Sequence, residues 1–126
     1  EVDLSPNGWF LSVDFHLKQG NSSTALGVIR DLLAKRAATQ PTSYPNCGSV
    51  FRNPPNDHAA RLIEAAGLKG FKIGAAEVST KHANFIINTG GATAADIERL
   101  IEHIEREVFQ QFDIRLIREV RIVGEK

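Results

Sequence analysis

The chain has 126 residues, 42% of them hydrophobic and 24% charged, with 15 basic residues balancing 15 acidic ones. That length holds one domain around a modest core, and the charge balance supplies no bulk field to attract nucleic acid or an anionic membrane, so an anionic ligand must be held by local contacts. The single cysteine, Cys47, excludes an internal disulfide and a cysteine-based metal site, and no apolar run reaches the roughly 18–20 residues that span a bilayer, so a reduced, cytoplasmic and soluble setting is expected.

In chain order, Trp9 to Leu17 alternates, with Leu11, Val13, Phe15 and Leu17 opposing Phe10, Ser12, Asp14 and His16, which predicts a strand. After Gly20, Asn21 or Ser22 can cap a helix carrying Leu26, Ile29, Leu32 and Leu33 and running to about Arg36. Ala37 to Pro45 is a connector. Ser49 to Arg52 reads as a short extended piece stopped by Pro54-Pro55. Asn56 or Asp57 can then cap a short helix bearing Leu62, Ile63 and Ala66, closed by Gly67 in a left-handed conformation.

Phe71 to Ile73 and Ala83 to Ile87 predict a strand pair around the polar segment Glu77 to His82, and Asn88 to Gly91 is a turn. The best-defined element is a helix from about Ala94 to Gln111, whose stripe is Ile97, Leu100, Ile101, Ile104, Val108 and Phe112. Thr93 is its cap, with Asp96 placed for a capping box. Ile114 to Val123 predicts a last strand, with Glu119 and Arg121 on the same side. The expected fold is α+β, a two-layer sandwich with helices over a mainly antiparallel sheet.

The chemistry-bearing residues concentrate in Asn46-Cys47-Gly48-Ser49-Val50-Phe51-Arg52-Asn53. Gly48 lets the backbone approach a ligand closely, and Ser49 delivers a hydroxyl, either to a ligand or to its own turn. Nothing in the sequence lowers the pKa of Cys47, which reads as a buried small residue. Glu77, Lys81 and His82 are candidate acid-base groups or ordinary hairpin polarity, and Glu119 with Arg121 is a site pair or a surface ion pair. The four histidines lack the paired spacing of a zinc site, and the Gly-x-Gly-x-x-Gly and Walker patterns are missing.

Gly48-Ser49-Val50-Phe51-Arg52-Asn53-Pro54 resembles the Gly-Ser-x-Phe-x-Asn-Pro signature of the UDP-N-acetylenolpyruvoylglucosamine reductases, flavoenzymes of peptidoglycan precursor synthesis. Three further signatures follow in order: Ala66-Gly67-Leu68-Lys69-Gly70 with Ile73-Gly74-Ala75-Ala76-Glu77-Val78-Ser79, then Lys81-His82-Ala83-Asn84-Phe85-Ile86-Ile87-Asn88, and finally Glu119-Val120-Arg121-Ile122-Val123-Gly124. The resemblance runs from about Trp9 to Glu125. It implies that residues 1–20 are the tail of a flavin-binding domain and residues 21–126 the C-terminal substrate-binding domain. Methionine is absent even at position 1, and the opening Glu1-Val2-Asp3 reads as the interior of a larger protein, with a tag-cleaved intact protein as the alternative.

The family uses NADPH to reduce FAD and passes the hydride to UDP-N-acetylglucosamine enolpyruvate. By resemblance, Ser49 is the proton donor and Glu119 the catalytic carboxyl; Asn53, Gln40, His82 and Arg121 join the substrate-binding set, and Gly48 stands at the cofactor. Gln40 falls where some members carry a phosphate-contacting lysine, and His82 where others use glutamine. To assist as a hydrogen-bond donor Glu119 would have to be protonated, which requires burial or a negative neighbour, and adjacent Arg121 pulls the other way. FAD is expected to be held mainly by the flavin-binding domain, so the 126-residue chain is expected to be inactive alone and to self-associate through the face that domain would cover. The partners implied are a UDP-sugar and that domain, with no nucleic acid or membrane. The competing expectation is a non-catalytic α+β module that uses Gly48, Ser49 and Arg52 to bind a phosphorylated metabolite.

Overall fold

The computed structural model describes residues 11–124. Its elements in order are α1 (Ser22–Thr39), α2 (Ala59–Ala65), β1 (Lys72–Ile73), β2 (Ala76–Val78), β3 (Ile86–Asn88) and α3 (Ala94–Phe112). The three strands form one antiparallel sheet in the order β1-β2-β3. α3 packs on β1 and β2, and α2 packs against α3, which is the expected α+β arrangement of helices over a small antiparallel sheet.

α3 forms where its sequence combines a strong start with a long apolar stripe. Thr93 Oγ1 accepts from the Asp96 amide at 3.1 Å and Asp96 Oδ2 accepts from the Thr93 amide at 3.0 Å, a complete capping box that gives side-chain acceptors to two donors at the helix start. Leu100, Ile101, Ile104 and Val108 recur at helical spacing and are at most 2% exposed. Each contributes about 1.5–3 kcal/mol through removal of apolar surface from water. Asp113 ends the helix in a left-handed conformation, φ 55°.

The sheet meets the start of α3 at a glycine. Gly74 occupies the β1–β2 turn at φ 57°, and a Cβ there would stand 2.6 Å from the Asp96 carboxyl carbon. Any side chain at this position would push aside the residue that closes the capping box.

Several elements differ from expectation. Of the strand expected over Trp9 to Leu17, residues 9 and 10 lie outside the described residues, and residues 11–17 form no strand: Leu11, Phe15 and Leu17 are exposed, with no ladder partner among the described residues. The expected strand pair is three strands, because β2 occupies Ala76–Val78. Ala76 and Val78 are fully buried while Glu77 between them reaches Lys72 across the ladder, with Nζ to Oε2 at 3.0 Å, so one charged residue did not break the strand. Phe71 lies outside β1 and stacks on His103 of α3.

Ile114 to Val123 is not a continuous strand. It makes one bridge, Phe51 to Arg118, flanked by Arg52 N–H to Ile117 O at 2.9 Å and Glu119 N–H to Val50 O at 2.8 Å. The predicted alternation persists all the same: Ile114, Leu116, Arg118 and Val120 turn toward the core and residues 115, 117, 119 and 121 are exposed. At α2 the capping group is neither Asn56 nor Asp57. Asn53 Oδ1 accepts from the Ala59 amide at 3.0 Å, while Asp57 accepts from the His58 amide and pairs with Arg61.

Candidate functional site

Two recesses meet at Ser49. A cleft of about 220 Å³ is lined by Ser49, Asn53, His58, His82, Asn84 and Glu119, together with Phe51 and Ala60. A wider recess of about 590 Å³ is lined by Arg36, Gln40, Thr42, Asn46, Gly48, Ser49 and Phe85. Ser49, Asn53, His82 and Glu119 are therefore brought to one cleft, and Gln40 and Gly48 to the recess beside it. Arg121 is exposed and lines neither.

Local structure explains how each side chain arrives. Asn46 folds the loop before Ser49 by accepting from the Gly48 amide with Oδ1 at 3.0 Å while its Nδ2 donates to Tyr44 O at 2.8 Å and Pro41 O at 3.1 Å. Gly48 follows at φ 81°, a conformation that favours glycine, and a Cβ built there would meet no atom within 4 Å, so its backbone is open on that side. Ser49 then enters the short extended segment that bridges to Arg118. Glu119 arrives next to it because its own N–H bonds Val50 O.

The cleft has a definite hydrogen-bonding polarity. The Ala59 N–H can only donate, so Asn53 must direct Oδ1 to it, and Nδ2 is the end left for a ligand. His82 accepts from the Asn84 amide at Nδ1, 3.3 Å, which makes Nε2 the protonated nitrogen of the neutral ring. Ser79, 1% exposed, accepts from the Lys81 and His82 amides with Oγ and shapes the turn that carries the imidazole, which packs edge-on against Phe85. Asn53 and His82 both present donors, a pair suited to an oxygen acceptor.

Other candidates separate from the cleft. Glu77 is paired with Lys72, and Lys81 Nζ donates to Ala37 O at 2.7 Å, so neither joins His82. Gln40 Oε1 accepts from Arg36 Nε at 3.2 Å at the end of α1, leaving its amide nitrogen for the wider recess. Cys47 is exposed instead of buried, on the side of the loop with Pro45, Ile86 and Ile97; partial desolvation there raises its thiol above the ordinary 9.0, the opposite of nucleophile activation. Among the described residues no group of three or more His, Cys, Asp or Glu is placed to hold a metal ion. No helix among them is long and apolar enough to cross a membrane.

Sequence reasoning gave no site role to His58 or Asn84, both of which line the cleft. The signal for Asn84 was available: it is a lone amide inside the apolar run Ala83 to Ile87, and a polar side chain in such a run needs a partner.

Comparison with known proteins points to one family. The family profile described as UDP-N-acetylenolpyruvoylglucosamine reductase, C-terminal domain, matches residues 40–123. The reductase of that name from Thiobacillus denitrificans is 60% identical over 118 residues, covering 94% of this chain and 36% of that protein. The one from Legionella pneumophila is 61% identical over 118 residues, covering 93% and 38%. The crystal structure of UDP-N-acetylenolpyruvylglucosamine reductase from Thermus caldophilus aligns with a TM-score of 0.65 at 35% identity, over 80% of this chain and 36% of that one. The chain thus spans little more than a third of the length of these relatives.

Proposed function

The chain belongs to the family of UDP-N-acetylenolpyruvoylglucosamine reductase C-terminal domains, and from that premise we propose that it is the substrate-binding part of a cytoplasmic flavoenzyme that reduces UDP-N-acetylglucosamine enolpyruvate to UDP-N-acetylmuramate for peptidoglycan synthesis. Residues 21–126 form that part and residues 1–20 the tail of the flavin-binding domain. The supporting observation is the meeting of Ser49, Asn53, His82 and Glu119 in one cleft, drawn from segments up to 70 residues apart in sequence.

When bound, FAD reduced by NADPH supplies the hydride, and the protein supplies position, protons and charge stabilisation. Gly48, with its open backbone in the wider recess next to Ser49, is where this chain would approach the flavin. Hydride arrival at the terminal carbon of the enolpyruvyl group leaves negative charge on the neighbouring carbon and its carboxylate. Ser49 gives that carbon its proton: the hydroxyl O–H bond breaks, the C–H bond forms, and the alkoxide is reprotonated from water. A serine hydroxyl suits this because it stays protonated at neutral pH yet quenches a strongly basic carbanion. Glu119 flanks the reacting group and would polarise it as a hydrogen-bond donor in its protonated form, since a carboxylate there would repel the developing negative charge.

The donor pair of Asn53 Nδ2 and His82 Nε2 holds acceptor oxygens of the sugar nucleotide, and the free end of Gln40 reaches its phosphates from the wider recess. Arg121, outside both recesses, would join only if the substrate or the flavin-binding domain covers the exposed face of residues 115–121. The test uses the full-length protein. Its flavin, once reduced by NADPH, is expected to be reoxidised by the enolpyruvyl sugar nucleotide and not by UDP-N-acetylglucosamine. Binding of either nucleotide with no electron transfer would instead identify a metabolite-binding module.

A further inference from the structure

We propose that Asn84 is a positioning residue for the reaction: a buried clamp that fixes the segment carrying Ser49 and the ring of His82 in one relative geometry. This rests on the reductase reading of the cleft. Asn84 is only 4% exposed, yet it lies in the cleft wall between those two groups.

Its bonds explain the assignment. Nδ2 donates to Phe51 O at 2.8 Å and Oδ1 accepts from Phe51 N–H at 3.0 Å, so the side-chain amide pairs with Phe51 as a neighbouring strand's peptide would. Asn84 O accepts from Val50 N–H at 2.9 Å. On the other side, Asn84 N–H donates to His82 Nδ1 and so sets the tautomer that exposes Nε2–H. The segment Val50–Arg52 is thereby held between Asn84 and the bridge to Arg118, although neither contact belongs to a regular sheet. With Oδ1 and Nδ2 both engaged by Phe51, Asn84 acts through Ser49 and His82 instead of binding substrate itself.

The substitution that isolates this role is Asn84→Asp, which keeps the shape and the acceptor but removes the donor to Phe51 O. At neutral pH two oxygens then face each other in a buried site; protonation of the new carboxyl restores a donor. In the full-length flavin-loaded protein, NADPH is expected to reduce the flavin at the parental rate. Reoxidation by the enolpyruvyl sugar nucleotide is expected to slow by about 100-fold, the scale of a small misplacement of a reacting group, and to recover as the pH is lowered. Asn84→Ser, which cannot regain the paired bonds, is expected to show the same slow reoxidation without recovery in acid. In a Ser49→Ala background, Asn84→Asp is expected to add clearly less than its loss in the parent, since the part of its effect that runs through Ser49 is already gone and only the part through His82 remains.

Reoxidation at the parental rate in both variants overturns the proposal. So does equal loss of both half-reactions, absence of any acid recovery in Asn84→Asp, a full multiplicative loss in the double variant, or failure of both variants to fold, which would make Asn84 a folding residue. An unmutated protein whose reduced flavin ignores the enolpyruvyl sugar nucleotide overturns the reductase reading and this proposal with it, whereas an active parent with indifferent variants overturns the proposal alone.

Discussion

α1 and α3 are of nearly equal length, both start on a side-chain cap, and both carry apolar residues at spacings of three and four, yet they end in opposite environments. Asn21 caps α1 by accepting from the Ser23 and Thr24 amides, as Thr93 caps α3. α3 buries Leu100, Ile101, Ile104 and Val108 against the sheet and α2. α1 buries nothing: Leu26, Ile29, Leu32 and Leu33 are 50–60% exposed. Caps and local spacing decide that a segment is helical, and a partner surface decides whether the helix contributes to the core. α3 finds its partner within the chain. The flavin-binding domain proposed above would supply the partner of α1.

The largest effect that sharpens this contrast is at the two apolar stripes. Leu100→Ala is expected to destabilise the 126-residue chain by about 2–5 kcal/mol, since it empties a fully buried site. Leu32→Ala is expected to change stability by no more than about 0.5 kcal/mol. Urea midpoints measure both. In the full-length protein the cost of Leu32→Ala should rise toward that of a core leucine; an unchanged small cost there would mean that α1 remains uncovered.

A smaller effect separates the caps. Thr93→Ala is expected to lower global stability by about 1 kcal/mol, because the capping box is tied to a packed helix. Asn21→Ala should reduce the helicity of α1 without moving the global urea midpoint. A shared shift in that midpoint would show that α1 folds with the core.

The smallest effect is in acid. Asp57 at the start of α2 is held at about 2 by its bond from Arg61 and by the His58 amide, and Asp96 is held below 3.8 by the Thr93 amide and hydroxyl with help from Arg99. Both folded values lie below the unfolded ones, so the stabilisation is complete above about pH 4 and is lost as the pH falls through the folded values, for Asp57 between 3.8 and about 2. The first turn of α1 carries no acidic residue. Amide shifts of His58 and Thr93 are expected to move in this window while those of Ser23 and Thr24 stay still.

The same distinction between local and tertiary information explains what the sequence revealed. The cap and stripe of α3, the left-handed Gly67 and the period-two burial of Ile114 to Val120 were legible because each depends on neighbouring residues. The alternating run Leu11 to Leu17 was misleading, since a strand requires a ladder partner that periodicity does not provide. Ser49, Asn53, His82 and Glu119 were legible as a set only through the family signatures; local reasoning left each with a structural alternative. Asn53 shows why, since its Oδ1 accepts at the start of α2 while the residue lines the cleft with Nδ2 left for a ligand, so structural and functional readings coexist in one amide. Asn84 escaped because its role depends on a backbone 33 residues away.

The most direct test of the account is Ser49→Ala in the full-length protein, with flavin absorbance followed by stopped flow through each half-reaction. The account predicts that NADPH still reduces the flavin while reoxidation by the enolpyruvyl sugar nucleotide slows by about 100-fold or more, the scale of a lost general acid. Parental rates in both half-reactions would leave Ser49 as a turn residue and contradict the mechanism assigned to the cleft.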